Sequence, residues 1–199
     1  MSNQSATELG GPLPAEPRIL SEGIRLWQGI EYASIRGFRP LLLDLYLPPQ
    51  GDRLASVLFI HGGGWGLGTR ASVAPPLDGL EPSMFERLAQ AGLAVASVDY
   101  RLTGEARFPA QLHDVKAAVR WLRAHAAAIG LDPERIVAWG GSAGGHLAAL
   151  LGLTAEHEYL EGEAGITGVS SAVWAVVDWY APVDLVALVE QADPNGPME

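Results

Sequence analysis

The chain contains no cysteine. That excludes disulfides and thiolate metal sites and leaves the redox compartment open. Basic residues are scarce: 13 Lys and Arg stand against 23 Asp and Glu, for a formal net charge of −10. So acidic a chain is a poor partner for nucleic acid or an anionic membrane surface, and the charge is read as serving solubility. No His and carboxylate cluster shows metal-ligand spacing. No Gly-Lys-Ser/Thr follows a glycine loop, which excludes a P-loop. Neither a metal nor a cofactor is expected. The start lacks a basic stretch followed by an apolar one, so no secretory signal is expected, and the expected location is cytoplasmic. Charge is also absent from Ile136 to Ala155. Its length would suit a membrane span, but five glycines interrupt it, and a buried strand, turn and helix fit better. No internal repeat is visible.

What is present reads as one globular domain: 199 residues, 48% of them hydrophobic, suffice for a sizeable core. Residues 1–21 hold Gly10-Gly11 and three prolines without periodicity, and a flexible tail is expected there. Residues 22–199 form the expected domain. Leu41, Leu43, Leu45 and Leu47 alternate with Asp44 and Tyr46, the pattern of a strand, and Pro48-Pro49 stops it. The segment Ile24 to Ile35 is its expected antiparallel partner. From Ser56 onward, strand and helix patterns alternate. Ser83-Met84-Phe85-Glu86 is a capping box, so a helix should start there and end near Gly92. Leu93 to Val98 reads as a buried strand. A helix from Pro109 carries Leu112, Val115, Val119, Leu122, Ala126 and Ile129 on one face and closes at Gly130. Ala172 to Val177 is apolar throughout and reads as a further strand with both faces needing cover. Such alternation predicts an α/β fold, a mainly parallel sheet with helices on both faces.

Ser142 lies in Gly140-Gly141-Ser142-Ala143-Gly144, directly after the apolar run Ile136-Val137-Ala138-Trp139 and directly before His146-Leu147-Ala148-Ala149. A sharp strand-to-helix turn forces the middle residue of G-x-S-x-G into strained backbone and lifts its hydroxyl clear of the sheet. The helix behind it favours negative charge in front of it. A second motif, His61-Gly62-Gly63-Gly64-Trp65, follows the apolar run Ser56 to Ile60. A glycine run can aim several backbone N–H groups at one point, and such donors stabilise an oxyanion.

These motifs carry a resemblance. With Asp99-Tyr100-Arg101-Leu102, Phe108-Pro109-Ala110, Asp114-Val115, Gly130-Leu131-Asp132-Pro133 and Asp178-Trp179-Tyr180-Ala181-Pro182-Val183-Asp184-Leu185, the chain resembles the α/β-hydrolase carboxylesterases of the hormone-sensitive-lipase-like and feruloyl-esterase-like groups. The resemblance spans about residues 24 to 190. It implies an α/β-hydrolase fold and a serine esterase acting through an acyl-enzyme on a small-molecule ester. It makes Ser142 the nucleophile, and the N–H groups of Gly63, Gly64 and Ala143 the oxyanion hole. An aryl-formamidase-type amide hydrolase and a non-catalytic binding fragment are the alternative readings.

The resemblance also implies an acid and a histidine after the nucleophile. Ser142 is followed by 57 residues that contain two histidines, His146 and His157. Neither fits: His146 sits one helical turn on and is expected to point away from the elbow, and His157 lies among Glu156, Glu158, Glu161 and Glu163, expected to be solvated. No triad acid or histidine is assigned. The chain stops at Asn195 to Glu199, which reads as a loop, and the expectation is a hydrolase truncated after its sixth strand, lacking its C-terminal strands. A C-terminal half or self-association through the exposed sheet edge would be its partner. His61, Asp99, Arg101 and Asp114 are expected to be structural. Trp65 is left either lining a substrate pocket or packing.

Overall fold

The computed structural model describes residues 16–75, 77–155 and 157–191. Gly10-Gly11, Glu156 and the loop expected at Asn195 to Glu199 lie outside them. Seven strands form one sheet: β1 (Arg18–Ile19), β2 (Arg25–Ala33), β3 (Leu41–Leu47), β4 (Leu54–Ile60), β5 (Ala94–Val98), β6 (Leu131–Gly141) and β7 (Ala175–Trp179). Their order is β1-β2-β3-β5-β4-β6-β7. β5, β4, β6 and β7 run parallel, and β1, β2 and β3 add an antiparallel flank. The helices are α1 (Met84–Gln90), α2 (Ala110–Ile129), α3 (Ala143–Leu153), α4 (Glu158–Glu161) and α5 (Leu185–Gln191).

Period-two alternation sorts the core into two layers. Leu58, Ile60, Ala96 and Val98 pack with Leu112, Val115, Val119 and Leu122 of α2 and Leu147 and Leu151 of α3. Phe59 and Val95 point the other way and meet Met84 and Phe85 of α1. Helices therefore cover both faces, as the alternation predicts. The capping box at Ser83 and Glu86 forms in both directions, and Gly130 ends α2 in the left-handed region at φ 74. Among the described residues, no helix is long and apolar enough to cross a membrane.

Two expectations shift. Arg18–Ile19, inside the expected tail, pairs with Leu26 and Arg25, because β2 is long enough to offer its outer edge there. The last strand begins at Ala175 rather than Ala172 and runs to Trp179, in register with Val137 to Gly141. Ala172 stays outside it because its carbonyl accepts from Arg123. Glu161, one of the acidic residues around His157, accepts from Lys116 at 3.0 Å, Arg120 at 2.6 Å and Ser171 at 2.8 Å. Lys116 and Arg120 are themselves buried on α2. Their charge is why the carboxylate turns inward, since a buried cation without a partner is costly.

Candidate active site

Ser142 links the end of β6 to the start of α3 at φ 55, ψ −122. A non-glycine residue in such a region is strained by about 1–3 kcal/mol and persists only where its surroundings fix it. Two bonds do so. The Ser142 N–H donates to the Trp179 carbonyl at 2.8 Å, and the Ser142 carbonyl accepts from the His146 N–H at 3.0 Å. The turn also needs bare backbone beside it: a Cβ on Gly144 would overlap the Ile60 carbonyl at the end of β4. Only glycine lets α3 start this close to the sheet.

The glycine loop leaves β4 directly opposite. A Cβ placed on Gly62 would stand 3.6 Å from the Ser142 Cβ and 2.9 Å from the Gly141 carbonyl. The loop curls through φ 108, 57 and 57 at Gly63, Gly64 and Trp65. The Gly63 carbonyl is turned back to accept from Gly66 and Leu67, each at 3.0 Å. The N–H groups of Gly63, Gly64 and Ala143 donate to no acceptor among the described residues. A half-buried hydroxyl thus stands beside a backbone loop whose donors are unspent.

His61 supports this loop from below. Its ring stacks on Tyr100 with centroids 4.3 Å apart, and its Nδ1 lies 2.8 Å from the Gly62 carbonyl. The Tyr100 hydroxyl donates to the His61 carbonyl at 3.0 Å. Burial lowers the His61 pKa, which keeps the ring neutral. Asp99 takes the Arg70 N–H at 2.7 Å and its guanidinium at 2.8 Å. The same guanidinium reaches Asp44 at 2.7 Å, tying the loop beyond the glycines to β3. Arg101 is clamped by both oxygens of Asp114, at 2.6 and 2.9 Å. These groups are occupied within the fold, in keeping with a structural role. Arg70 and Asp44 escaped the sequence reading, because only the tertiary fold brings the 70 region over β3.

The other expected residues are dispersed or engaged. His146 lies one turn along α3 from Ser142, and its ring meets Trp65 of the glycine loop at 5.2 Å and 85°. Trp65 is half-buried and also packs against the core. Burial lowers the His146 pKa, against the opposing pull of Asp178. Asp178 accepts from Ala181, and Asp184 caps α5 through Val186 and Ala187. His157 is exposed at the start of α4. A cavity of about 360 Å³ between Arg36, Arg101, His113 and Glu163 includes neither the elbow nor the glycine loop. Among the described residues, no group of three or more His, Asp or Glu is placed to hold a metal.

A strained serine at a strand-to-helix turn, faced by a glycine loop, is the nucleophile-elbow arrangement of α/β hydrolases, and the sequence matches the BD-FAE family over residues 43–198. The chain belongs to the BD-FAE family. Its fold is that of the α/β hydrolases. It is 40% identical over 116 residues to carboxylesterase NlhH of Mycobacterium tuberculosis, covering 58% of this chain and 34% of that one. Among solved structures it is similar to a truncated carbohydrate esterase from gut microbiota, at 33% identity and TM-score 0.68, covering 88% of this chain and 61% of that one. Thermogutta terrifontis esterase 2 phosphonylated by sarin matches at 30% identity and TM-score 0.65, covering 85% and 57%. The chain spans about a third of the length of the curated relatives it matches.

Proposed function

We propose that this BD-FAE chain carries the nucleophile and the oxyanion hole of a serine-dependent carboxylic ester hydrolase. The observation behind this reading is the strained Ser142 beside unspent N–H groups of Gly63, Gly64 and Ala143. In the proposed reaction Ser142 Oγ attacks the carbonyl of a small-molecule ester. The three N–H groups take up the charge that develops on the carbonyl oxygen. The alcohol leaves, an acyl-enzyme remains, and water releases the acid.

The step needs a base for the Ser142 proton. His61 is buried beneath the glycine loop, His113 and His125 lie on α2 and bond carbonyls, His146 meets Trp65, and His157 is exposed at the start of α4. The imidazole and its carboxylate are therefore assigned to a further segment, in cis or as a second polypeptide. The unbonded hydroxyl equally suits a binding protein that retains the pocket without the relay, and one experiment separates the two. The 199-residue chain is treated with a fluorophosphonate and assayed with p-nitrophenyl esters and an aryl formamide. Esterase chemistry gives an adduct at Ser142 and a slow, Ser142-dependent ester turnover below about 1 s⁻¹, an ordinary enzyme rate. Loss of the base alone leaves roughly 10³–10⁴-fold over water. Phosphonylation uses the same base as ester hydrolysis, so a slow adduct is expected; ester turnover that Ser142→Ala leaves unchanged favours the binding reading, and a faster formamide reaction favours the amidase.

A further inference from the structure

Trp65 stands where an aromatic side chain rarely does, at φ 57 directly after the Gly64 donor. Its carbonyl is pinned by the Thr103 N–H at 2.8 Å. Its ring is met by one ring from across the site, that of His146, perpendicular at 5.2 Å. Perpendicular rings set the positive edge of one against the π face of the other, so the contact fixes orientation as well as distance. His146 is in turn fixed to the nucleophile, since its N–H donates to the Ser142 carbonyl one turn back. Its Nδ1 is buried with no hydrogen-bond partner among the described residues. The ring therefore does not hold the fold together through that nitrogen. What it touches is the tryptophan of the glycine loop.

We propose that His146 is a positioning residue: its ring braces Trp65 and thereby sets the Gly63 and Gly64 N–H groups relative to Ser142. The loop and the elbow leave different strands, β4 and β6, and this ring pair joins them above the sheet. Burial keeps the imidazole neutral, so the brace carries no charge of its own to the oxyanion. The proposal rests on Ser142 and the glycine loop being the reacting site, but the brace itself is measurable without any reaction.

The test is amide exchange on the 199-residue chain, resolved by NMR. The Gly66 and Leu67 amides bond the Gly63 carbonyl and report the order of the loop. In His146→Ala they should exchange about tenfold faster, while Leu147 to Leu151 in α3 and the unfolding midpoint stay as in the parent. His146→Phe, which restores a perpendicular ring, should restore slow exchange. Trp65→Ala leaves α3 intact and should loosen the same two amides, which keeps the test valid if the His146 variants fold poorly. The rate of Ser142 phosphonylation should fall and recover in step. Parent-like exchange at Gly66 and Leu67 in Trp65→Ala or a folded His146→Ala would overturn the brace. So would equal acceleration throughout α3, which would mark His146 as a residue of helix stability only. Loop loosening and Phe rescue together with ester turnover that Ser142→Ala leaves unchanged would support the brace and sink the esterase reading.

Discussion

The amide of Ser142 donates to the carbonyl of Trp179 at 2.8 Å, so the strained residue of the elbow hangs from the neighbouring strand β7. The reach of that one bond is long. β7 is held in place by the segment before it, whose carbonyls at Ser170 and Ala172 accept from Arg123 of α2. The backbone at Ser142 thus depends on packing two elements away.

Glu161 is the anchor of that segment. Burial by itself would raise its carboxyl, but hydrogen bonds from Lys116, Ser171 and Arg120 outweigh burial and hold it below its ordinary 4.5. A carboxylate depressed in the folded state contributes stability above its unfolded pKa and loses it as pH falls through the folded one. Thermal melts should show stability falling below pH 4.5, and Glu161→Gln should flatten that slope. At neutral pH the variant should lose about 3 kcal/mol, because Lys116 and Arg120 keep their burial without a counter-charge. An unchanged melting curve would refute the anchor.

The donor at Gly64 calls for a substitution that respects its backbone. Gly64→Pro would remove the N–H but also force φ from 57 to about −65. Replacing the Trp65-side geometry is avoided by an amide-to-ester exchange at the Gly64 nitrogen, made by semisynthesis. In a completed enzyme this should lower kcat by about 10²–10³, the usual effect of one oxyanion donor. A parent-like kcat would assign the glycines to the turn alone.

Gly144 and Gly152 lie on the same helix and should respond unequally to alanine. At Gly144 the new Cβ meets the Ile60 and His61 carbonyls, which are backbone and cannot step aside. The expected loss is about 3 kcal/mol or more, measured by denaturant unfolding. At Gly152 the Cβ meets a single Val176 methyl at 2.6 Å, on a residue that is 37% exposed and stands on the edge strand, where it has more room to shift than the backbone at Ile60. There the gain in helix propensity, about 1 kcal/mol, should offset the contact. Equal losses at the two sites would contradict the close approach of α3 to β4.

The outer side of β7 is apolar. Among the described residues β7 pairs only with β6, and Val186 and Val189 of α5 are 69% and 75% exposed. An unpaired edge with uncovered apolar side chains invites association. Sedimentation should show larger species as concentration rises, and Val176→Lys with Val189→Lys should shift them toward monomer. A monomer at all concentrations, with strong exchange protection along the outer side of β7, would refute this.

Much of the architecture was legible in the sequence, because local rules and tertiary packing agree. Leu41 to Leu47, the Ser83 capping box, the α2 stripe from Leu112 to Ile129 and the Gly130 cap each follow from side-chain period or backbone freedom. So does the elbow, whose glycines were explicable before any contact was known. Burial of Lys116 and Arg120 was not legible, since neither belongs to the apolar stripe of α2. Their partner Glu161 is more than forty residues away, in the charged segment around His157. The same holds for Arg70 with Asp44 and Asp99, and for His146 with Trp65. Sequence period fixes which face a residue takes on its own element. Which charge or ring meets it there is decided by how the elements pack, and that is set by contacts between segments far apart in the chain.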